Sequence, residues 1–237
     1  MSTITSNLHD VEATIAAAAR AAGRERSGIV LLAVSKTFPA EAVIEAMAAG
    51  QRAFGENYLQ EALDKIAAVA QARPGAAVEW HFIGPIQSNK TRPIASHFAW
   101  VHTVDRLKIA QRLSEQRAPE LGPLNICLQV NISGEESKSG VTEAELPALA
   151  RDVAKLPNLR LRGLMAIPEP EADPQKQRAP FARLRKLAEA LRADGIDTDT
   201  LSMGMSADMG AAIAEGATIV RVGSAIFGAR HYHKEQA

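Results

Sequence analysis

Short apolar runs alternate with amphipathic segments along most of the chain, and this alternation predicts its architecture. Residues 29–34 (IVLLAV) are apolar and rich in branched side chains, which is typical of a strand buried on both faces. Residues 39–49 follow, with proline at the start, apolar side chains along one stripe and Gly50 just after the end, as expected of a helix. These two segments predict one β/α unit.

The same unit recurs along the chain. Further candidate strands lie at residues 52–55, 78–83, 100–103, 124–131, 160–166, 200–202 and 218–222. Further candidate helices lie at residues 7–22, ahead of the first strand, and at 60–71, 106–116, 143–155, 178–193 and 208–215. The proline-rich stretch 168–180 is expected to be a long loop.

Eight strands interleaved with helices, without a linker or a change of composition, predict a single α/β domain over residues 1–237. The expected fold is a closed (β/α)8 TIM barrel with an extra N-terminal helix. An open doubly wound sheet is the alternative.

Composition narrows the classes of ligand. Lys plus Arg and Asp plus Glu both number 27, so the formal net charge is zero and offers no long-range attraction for nucleic acid or anionic lipid. A small molecule is therefore the expected ligand. Cys127 is the only cysteine, which excludes an intramolecular disulfide and suits a reducing compartment. The N-terminus is polar and no apolar run reaches about 18 residues, so a cytoplasmic protein without a membrane segment is expected.

Lys36 directly follows the first predicted strand, at the end where barrels of this kind carry their chemistry. It shares alternation parity with Leu32 and Val34, so it points to the barrel mouth if those two point inward. Desolvation there would disfavour the ammonium form, and a lysine with a lowered pKa is the nucleophile that forms an imine with a carbonyl compound. The alternative is an ordinary solvated loop lysine.

Two candidate anion-binding turns follow the last two strands. Ser206 comes after Gly204 and before a predicted helix, which makes it a candidate N-cap, and Ser224 follows Gly223 at another expected helix start. Loops in these positions of a barrel commonly hold a phosphate, so the spacing predicts a phosphorylated ligand. Ordinary helix capping is the alternative for either serine alone.

Other strand ends place Asn57, His81 and Met165 as candidate pocket lining. No metal site is expected, because His231 and His233 lack a third ligand. Dinucleotide, P-loop and nucleophile-elbow motifs do not occur in the sequence.

Several ordered motifs resemble one family over nearly the whole chain. They are residues 31–37 (LLAVSKT), 54–58 (FGENY), 80–84 (WHFIG), 87–90 (QSNK), 201–206 (LSMGMS) and 221–228 (RVGSAIFG). The sequence is similar to the pyridoxal phosphate homeostasis protein family, the YggS/PROSC group. The resemblance implies a single barrel like the N-terminal domain of alanine racemase, without that enzyme's second domain.

The resemblance also implies a binding site for pyridoxal 5′-phosphate (PLP), held as a Schiff base on Lys36. Ser206, Gly223 and Ser224 would bind its phosphate, and Arg221 would face the pyridine nitrogen. The implied positions around the ring are Asn57, His81, Met165, Ser202 and Met203. Two departures are mild: Ser224 stands where threonine is often expected, and Gly210 lies within a predicted helix.

A guanidinium can only donate hydrogen bonds, so Arg221 would leave the pyridine nitrogen unprotonated and the ring a poor electron sink. Racemisation also needs a second acid or base, which in alanine racemase comes from the extra domain. The resemblance thus implies a PLP carrier without strong catalytic activity, acting in PLP homeostasis. Its expected partners are PLP and PLP-dependent apoenzymes, and it is expected to be a monomer or weak dimer.

Two alternatives remain open. One is a PLP-dependent amino-acid racemase or decarboxylase, with His81 or Tyr58 as the candidate base. The other is a phosphosugar or other phosphate-ester enzyme on the same barrel, in which Lys36 would form no imine.

Overall fold

The computed structural model describes residues 2–134 and 139–229. Within them, eight parallel strands pair in sequence order and β8 closes onto β1. The strands are β1 Val30–Val34, β2 Ala53–Glu56, β3 Glu79–Phe82, β4 Trp100–Val104, β5 Leu124–Gln129, β6 Leu159–Met165, β7 Thr200–Ser202 and β8 Ile219–Val222. The predicted closed barrel is confirmed, and the open doubly wound sheet is excluded.

Helices cover the outside of the barrel. They are α1 Thr3–Ala21, α2 Ala40–Ala48, α3 Leu59–Ala72, α4 Thr91–His97, α5 Leu107–Gln116, α6 Leu146–Val153, α7 Pro174–Ala193, α8 Met209–Ala214 and α9 Ser224–Phe227. Short 3-10 turns lie at Arg26–Gly28, Ser88–Lys90 and Pro119–Leu121. In the described ranges no helix combines the length and the apolar character that crossing a bilayer requires.

The extra N-terminal helix α1 is amphipathic and packs on the last helices of the chain. Its buried side chains recur at helical spacing: Leu8, Val11, Ile15 and Ala19. The Ser2 hydroxyl accepts a hydrogen bond from the Thr5 N–H and caps the helix. The Asn7 side chain donates a hydrogen bond to the Ile226 carbonyl at 2.9 Å, which links α1 to α9, the helix that follows β8.

The prediction for residues 168–180 was partly wrong. Residues 168–173 form a loop, but α7 begins at Pro174 and includes Pro180. A proline at a helix start loses no backbone bond, and the buried Phe181 and Leu184 anchor the helix despite Pro180. Helix α4 was not predicted, since its seven residues include Pro93 and display little of a helical period. A helix start was expected at Ser224, where α9 begins.

The alternation of β1 separates two hydrophobic cores. Leu31 and Ala33 face the outer core between strands and helices. Leu32 faces an inner cluster, which consists of Leu32, Ala53, Trp100, Cys127, Met165 and Ile219. The inward parity expected for Leu32 is confirmed, and it places the residues after β1 at the mouth of the barrel.

Candidate functional site

A cavity of about 280 Å³ lies at the carboxyl ends of the strands. Its lining comes from β1, β6, β8 and the loops after β1, β2, β3, β6, β7 and β8. Seven of the sequence-predicted residues lie on it: Lys36, Asn57, Met165, Ser206, Arg221, Gly223 and Ser224. Residues distant in sequence therefore meet at one opening.

The loop that carries Lys36 is held on both sides of the lysine. Before it, the Ser35 hydroxyl donates to Glu56 Oε1 at 2.6 Å. After it, Thr37 adopts a φ of 68°, a left-handed conformation uncommon for a residue with a side chain, and its N–H donates to Glu61 Oε1 at 2.6 Å. These contacts fix the backbone from which the Lys36 amine extends.

Lys65 organises the carboxylates under this loop. It is only 4% exposed, and its ammonium lies 2.6 Å from Glu56 and 3.0 Å from Glu61 while donating to the Ser35 carbonyl at 2.8 Å. Burial raises the pKa of Glu56, an effect that the attraction of Lys65 opposes. Sequence reasoning missed this group, although Glu61 and Lys65 stand at the i,i+4 spacing of a helical ion pair.

Arg221 is buried at the inner wall of the cavity, where it is 5% exposed. Its guanidinium donates from Nη1 to the Ser202 hydroxyl at 2.8 Å and from Nη2 to the Ala166 carbonyl at 3.0 Å. Desolvation lowers the pKa of Arg221 to about 10, so the group stays cationic at neutral pH. These two bonds use two of its five N–H donors, which leaves donors for a ligand.

Behind Arg221, two buried histidines fill the barrel interior. His102 Nδ1 lies 2.7 Å from the Ser202 hydroxyl, and His102 Nε2 lies 2.9 Å from His81 Nδ1. His81 Nε2 in turn lies 2.9 Å from Glu79, and the His81 ring stacks on Trp100. His102 and Glu79 were not among the predicted site residues.

Three residues expected around the ring do not line the cavity. His81 points into the barrel interior from within β3, below the mouth. Ser202 is buried, and its hydroxyl is shared by Arg221 and His102. Met203 belongs to the outer hydrophobic core. These side chains lie behind or beside the wall of the cavity.

The turns after β7 and β8 both reach the cavity. Gly223 is the N-cap of α9, where a Cβ would lie 3.2 Å from the Val34 carbonyl oxygen, so glycine allows a close backbone approach. The expectation that Ser206 caps a helix was wrong: α8 begins later, and Asp208 occupies its N-cap position. The Ser206 hydroxyl is consequently not committed to that cap.

The donor set fits the phosphorylated aldehyde that the resemblance implies. Lys36 and Arg221 supply positive charge, Ser206 and Ser224 supply hydroxyls, and no Asp or Glu occurs among the described residues lining this cavity. Within the described ranges, Asn57 Oδ1 is buried without a hydrogen-bond partner, so it can accept from a ligand. The chemistry suits an anion with a polar ring.

A second cavity, of about 670 Å³, adjoins the first on the side of β3 to β6. The two share Asn57, Ile83, Ile167 and Met205 as lining residues. Within residues 2–134 and 139–229, no group of three or more His, Cys, Asp or Glu side chains is placed to hold a metal. His231 and His233 lie outside the described residues.

Comparison with known proteins gives two independent matches. Residues 6–231 match the family described as the alanine racemase N-terminal domain. The pyridoxal phosphate homeostasis protein of Pseudomonas aeruginosa is 65% identical over 232 residues, which cover 98% of both chains.

Solved structures agree with the sequence matches. PipY of Synechococcus elongatus PCC7942, with PLP bound, superposes with a TM-score of 0.81 at 36% identity, covering 95% of this chain and 100% of PipY. Alanine racemase of Corynebacterium glutamicum superposes with a TM-score of 0.72 at 18% identity, covering 96% of this chain and 61% of the enzyme, which supports the fold alone. This chain therefore belongs to the pyridoxal phosphate homeostasis protein family and has the barrel fold of the alanine racemase N-terminal domain.

Proposed function

We propose that this barrel, taken as one domain over residues 1–237, binds PLP reversibly at Lys36 and serves PLP homeostasis as a carrier without strong catalytic activity. One observation carries the proposal. A lysine, a buried arginine and two serine hydroxyls converge on one cavity whose described lining contains no carboxylate. The 65% identical relative is named for PLP homeostasis, and the similar PipY structure contains PLP.

Each lining residue has a task that follows from its chemistry. PLP supplies an aldehyde, which condenses reversibly with a primary amine with loss of water, and Lys36 presents that amine. Ser206, Ser224 and the backbone at Gly223 donate hydrogen bonds to the phosphate. Arg221 donates toward the ring nitrogen. Asn57 and Met165 form the wall beside the ring, completing the set on the cavity.

Two features support a carrier rather than a racemase or decarboxylase. Arg221 can only donate, so it leaves a ring nitrogen unprotonated and the ring a weak electron sink. Neither candidate base is placed for catalysis: His81 is 1% exposed with both ring nitrogens engaged, and Tyr58 is 52% exposed and outside the lining of both cavities.

Reversible condensation also supports transfer to other proteins. The neighbouring cavity has a volume of about 670 Å³, which is enough for the amine of another protein to approach Lys36. We take PLP-dependent apoenzymes as the acceptors and the cytoplasm as the compartment, where a single buried thiol such as Cys127 stays reduced. A monomer or weak dimer suffices, since every residue assigned to the site comes from one chain.

Titration of the purified protein with PLP, followed by visible absorbance, tests the binding assignment. We expect an adduct band in the natural protein and in the Lys108→Ala variant, which removes an exposed lysine from α5. The Lys36→Ala variant should lose the band while its circular dichroism stays unchanged, because Lys36 carries little packing. An undiminished band in Lys36→Ala would refute the assignment.

A second experiment tests the absence of strong catalysis. PLP-loaded protein is incubated with L-alanine in D2O, and α-proton exchange is followed by NMR. We expect exchange no faster than with free PLP. Exchange at the rate of an enzyme would establish the racemase class instead.

A further inference from the structure

A line of buried polar side chains crosses the barrel interior. It begins at Glu79, the first residue of β3, and passes through His81, His102 and Ser202 to Arg221 at the cavity. The four links measure 2.9, 2.9, 2.7 and 2.8 Å. Apart from Glu79, all its members are buried, so the three bonds from His81 to Arg221 are shielded from water.

The two ends of the line together set the direction of its protons. A guanidinium has no acceptor, so Arg221 donates to the Ser202 oxygen, and the hydroxyl keeps its own proton, which it can donate to His102 Nδ1. With Nδ1 as the acceptor, a neutral His102 ring carries its proton on Nε2 and donates it to His81 Nδ1.

The other end of the line requires the same direction. An ionised carboxylate can only accept, so His81 carries a proton on Nε2 and donates it to Glu79, and a neutral His81 ring then accepts at Nδ1. This hydrogen bond is the largest cause of a lowered pKa of Glu79, which keeps the carboxylate ionised and able to accept. Burial lowers the pKa of both histidines, in agreement with neutral rings.

We propose that His102, supported by His81 and Glu79, is a positioning residue that acts through Ser202 to hold the Arg221 guanidinium against the cavity. Both histidines are neutral, with the proton on Nε2. Without the line, the Ser202 hydroxyl loses the acceptor that orients it, and of the two partners that Arg221 has among the described residues, the Ala166 carbonyl alone stays fixed. The proposal rests on the proposed function only in taking Arg221 as the group that meets the PLP ring.

Long-range 1H–15N correlation NMR on ligand-free protein labelled at histidine tests the direction without any cofactor. We expect both buried rings to show one protonated and one unprotonated nitrogen at neutral pH, with the proton on Nε2. A cationic ring, or a proton on Nδ1 of either histidine, would overturn the proposal. Failure of the protein to bind PLP would not affect this measurement.

Variants test the effect on the site. Ser202→Ala removes a hydrogen bond to the Arg221 guanidinium, and His102→Phe removes the acceptor that orients the Ser202 hydroxyl. In both variants we expect PLP to dissociate about tenfold faster and its absorption maximum to shift. Cys127→Ala, which trims another buried interior side chain outside the line, controls for loosened packing and should retain the natural rate and spectrum. Ser202→Thr keeps the hydroxyl and should restore the natural spectrum.

Unchanged dissociation and spectrum in folded Ser202→Ala would contradict the positioning role, as would equal changes in Cys127→Ala. If His102→Phe fails to fold, Ser202→Ala and the NMR measurement still test whether the line positions Arg221. Natural protein that binds no PLP at all would refute the proposed function, whereas the tautomers in the ligand-free protein would still report on the line.

Discussion

Two lysines next to Ser35 have different roles because their surroundings differ. Lys36 follows the inward-facing row of β1 and lines the cavity. Lys65 reaches the Ser35 carbonyl from α3 and is enclosed by Glu56 and Glu61. The parity of Leu32 and Val34 predicted the first placement, because strand alternation is local. The second depends on the packing of a helix on a strand, which local pattern does not contain.

Arg221 shows the same limit of prediction from local sequence pattern. Its position two residues before Gly223 was recognised from the family resemblance, but its neighbour in the hydrogen-bonded line, His102, was not. His102 lies in the middle of an apolar strand, where a lone histidine is usually an ordinary core residue. Only closure of the barrel brings His102 next to Ser202, about a hundred residues along the chain.

At Arg221 we expect substitution to weaken PLP retention without abolishing condensation. Arg221→Ala removes the donors proposed to face the ring but leaves Lys36 and the turns proposed to bind the phosphate in place. Dissociation of PLP, measured by transfer to an excess of an apoenzyme, should accelerate roughly tenfold or more. Borohydride should still attach PLP to Lys36 in this variant. Natural retention in Arg221→Ala would exclude a role for the guanidinium at the ring.

At the scale of elements, the sequence predicted all eight strands because alternating apolar runs and helical segments are a repeated local signal. It missed the first turn of α7 because a proline-rich segment is typical of a loop, although proline is also common at a helix start, as at Pro174. The start of α8 was predicted to within one residue, but the N-cap position belongs to Asp208 and not to Ser206. Boundaries depend on contacts with neighbouring elements, which the pattern of one segment does not report.

The contact between α3 and the loop after β1 predicts a pH-dependent loss of stability. Lys65→Met removes the attraction that opposes the raised pKa of Glu56, so this pKa rises further in the folded protein. A group with a folded pKa above its unfolded pKa contributes stability below the unfolded value, and this contribution is lost as the pH rises through the folded value.

We therefore expect Lys65→Met to cost about 3 kcal/mol near neutral pH and clearly less at about pH 4, measured by urea unfolding. Lys155→Met, which removes an exposed lysine 3.9 Å from Asp152, is the matched control and should change stability by under about 0.5 kcal/mol. A loss in Lys65→Met that is equal at both pH values would show that packing, and not the charge on Glu56, dominates.

The seam between β6 and β7 gives a second prediction of stability. A Cβ at Gly163 would lie 1.8 Å from the Thr200 carbonyl oxygen, so the strands must separate to admit it. Gly163→Ala should cost roughly 3 kcal/mol in urea unfolding. At Gly210, exposed in α8, an added Cβ would meet no heavy atom within 4 Å beyond its chain neighbours and its own helix backbone, and the same change should instead stabilise by about 0.5 kcal/mol. Equal effects at the two glycines would contradict the described strand pairing.

At the scale of the whole molecule, closure of the barrel is what makes a site from distant segments. Strand β8 pairs with β1, and this pairing brings Arg221, Gly223 and Ser224 beside Lys36. The sequence allowed this grouping to be predicted, because carboxyl ends of parallel strands meet at one face. The interior line from Glu79 to Arg221 could not be predicted, because it requires the relative depth of side chains from four strands.

Reduction with borohydride in the presence of PLP, followed by peptide mapping, tests the central claim most directly. It converts the reversible bond between aldehyde and amine into a stable secondary amine whose position mass spectrometry locates. The prediction is one PLP per chain on the peptide that contains Lys36, and no label at that stoichiometry in Lys36→Ala. Protein that stays unlabelled with excess PLP, or that carries equal label after Lys36→Ala, would contradict it.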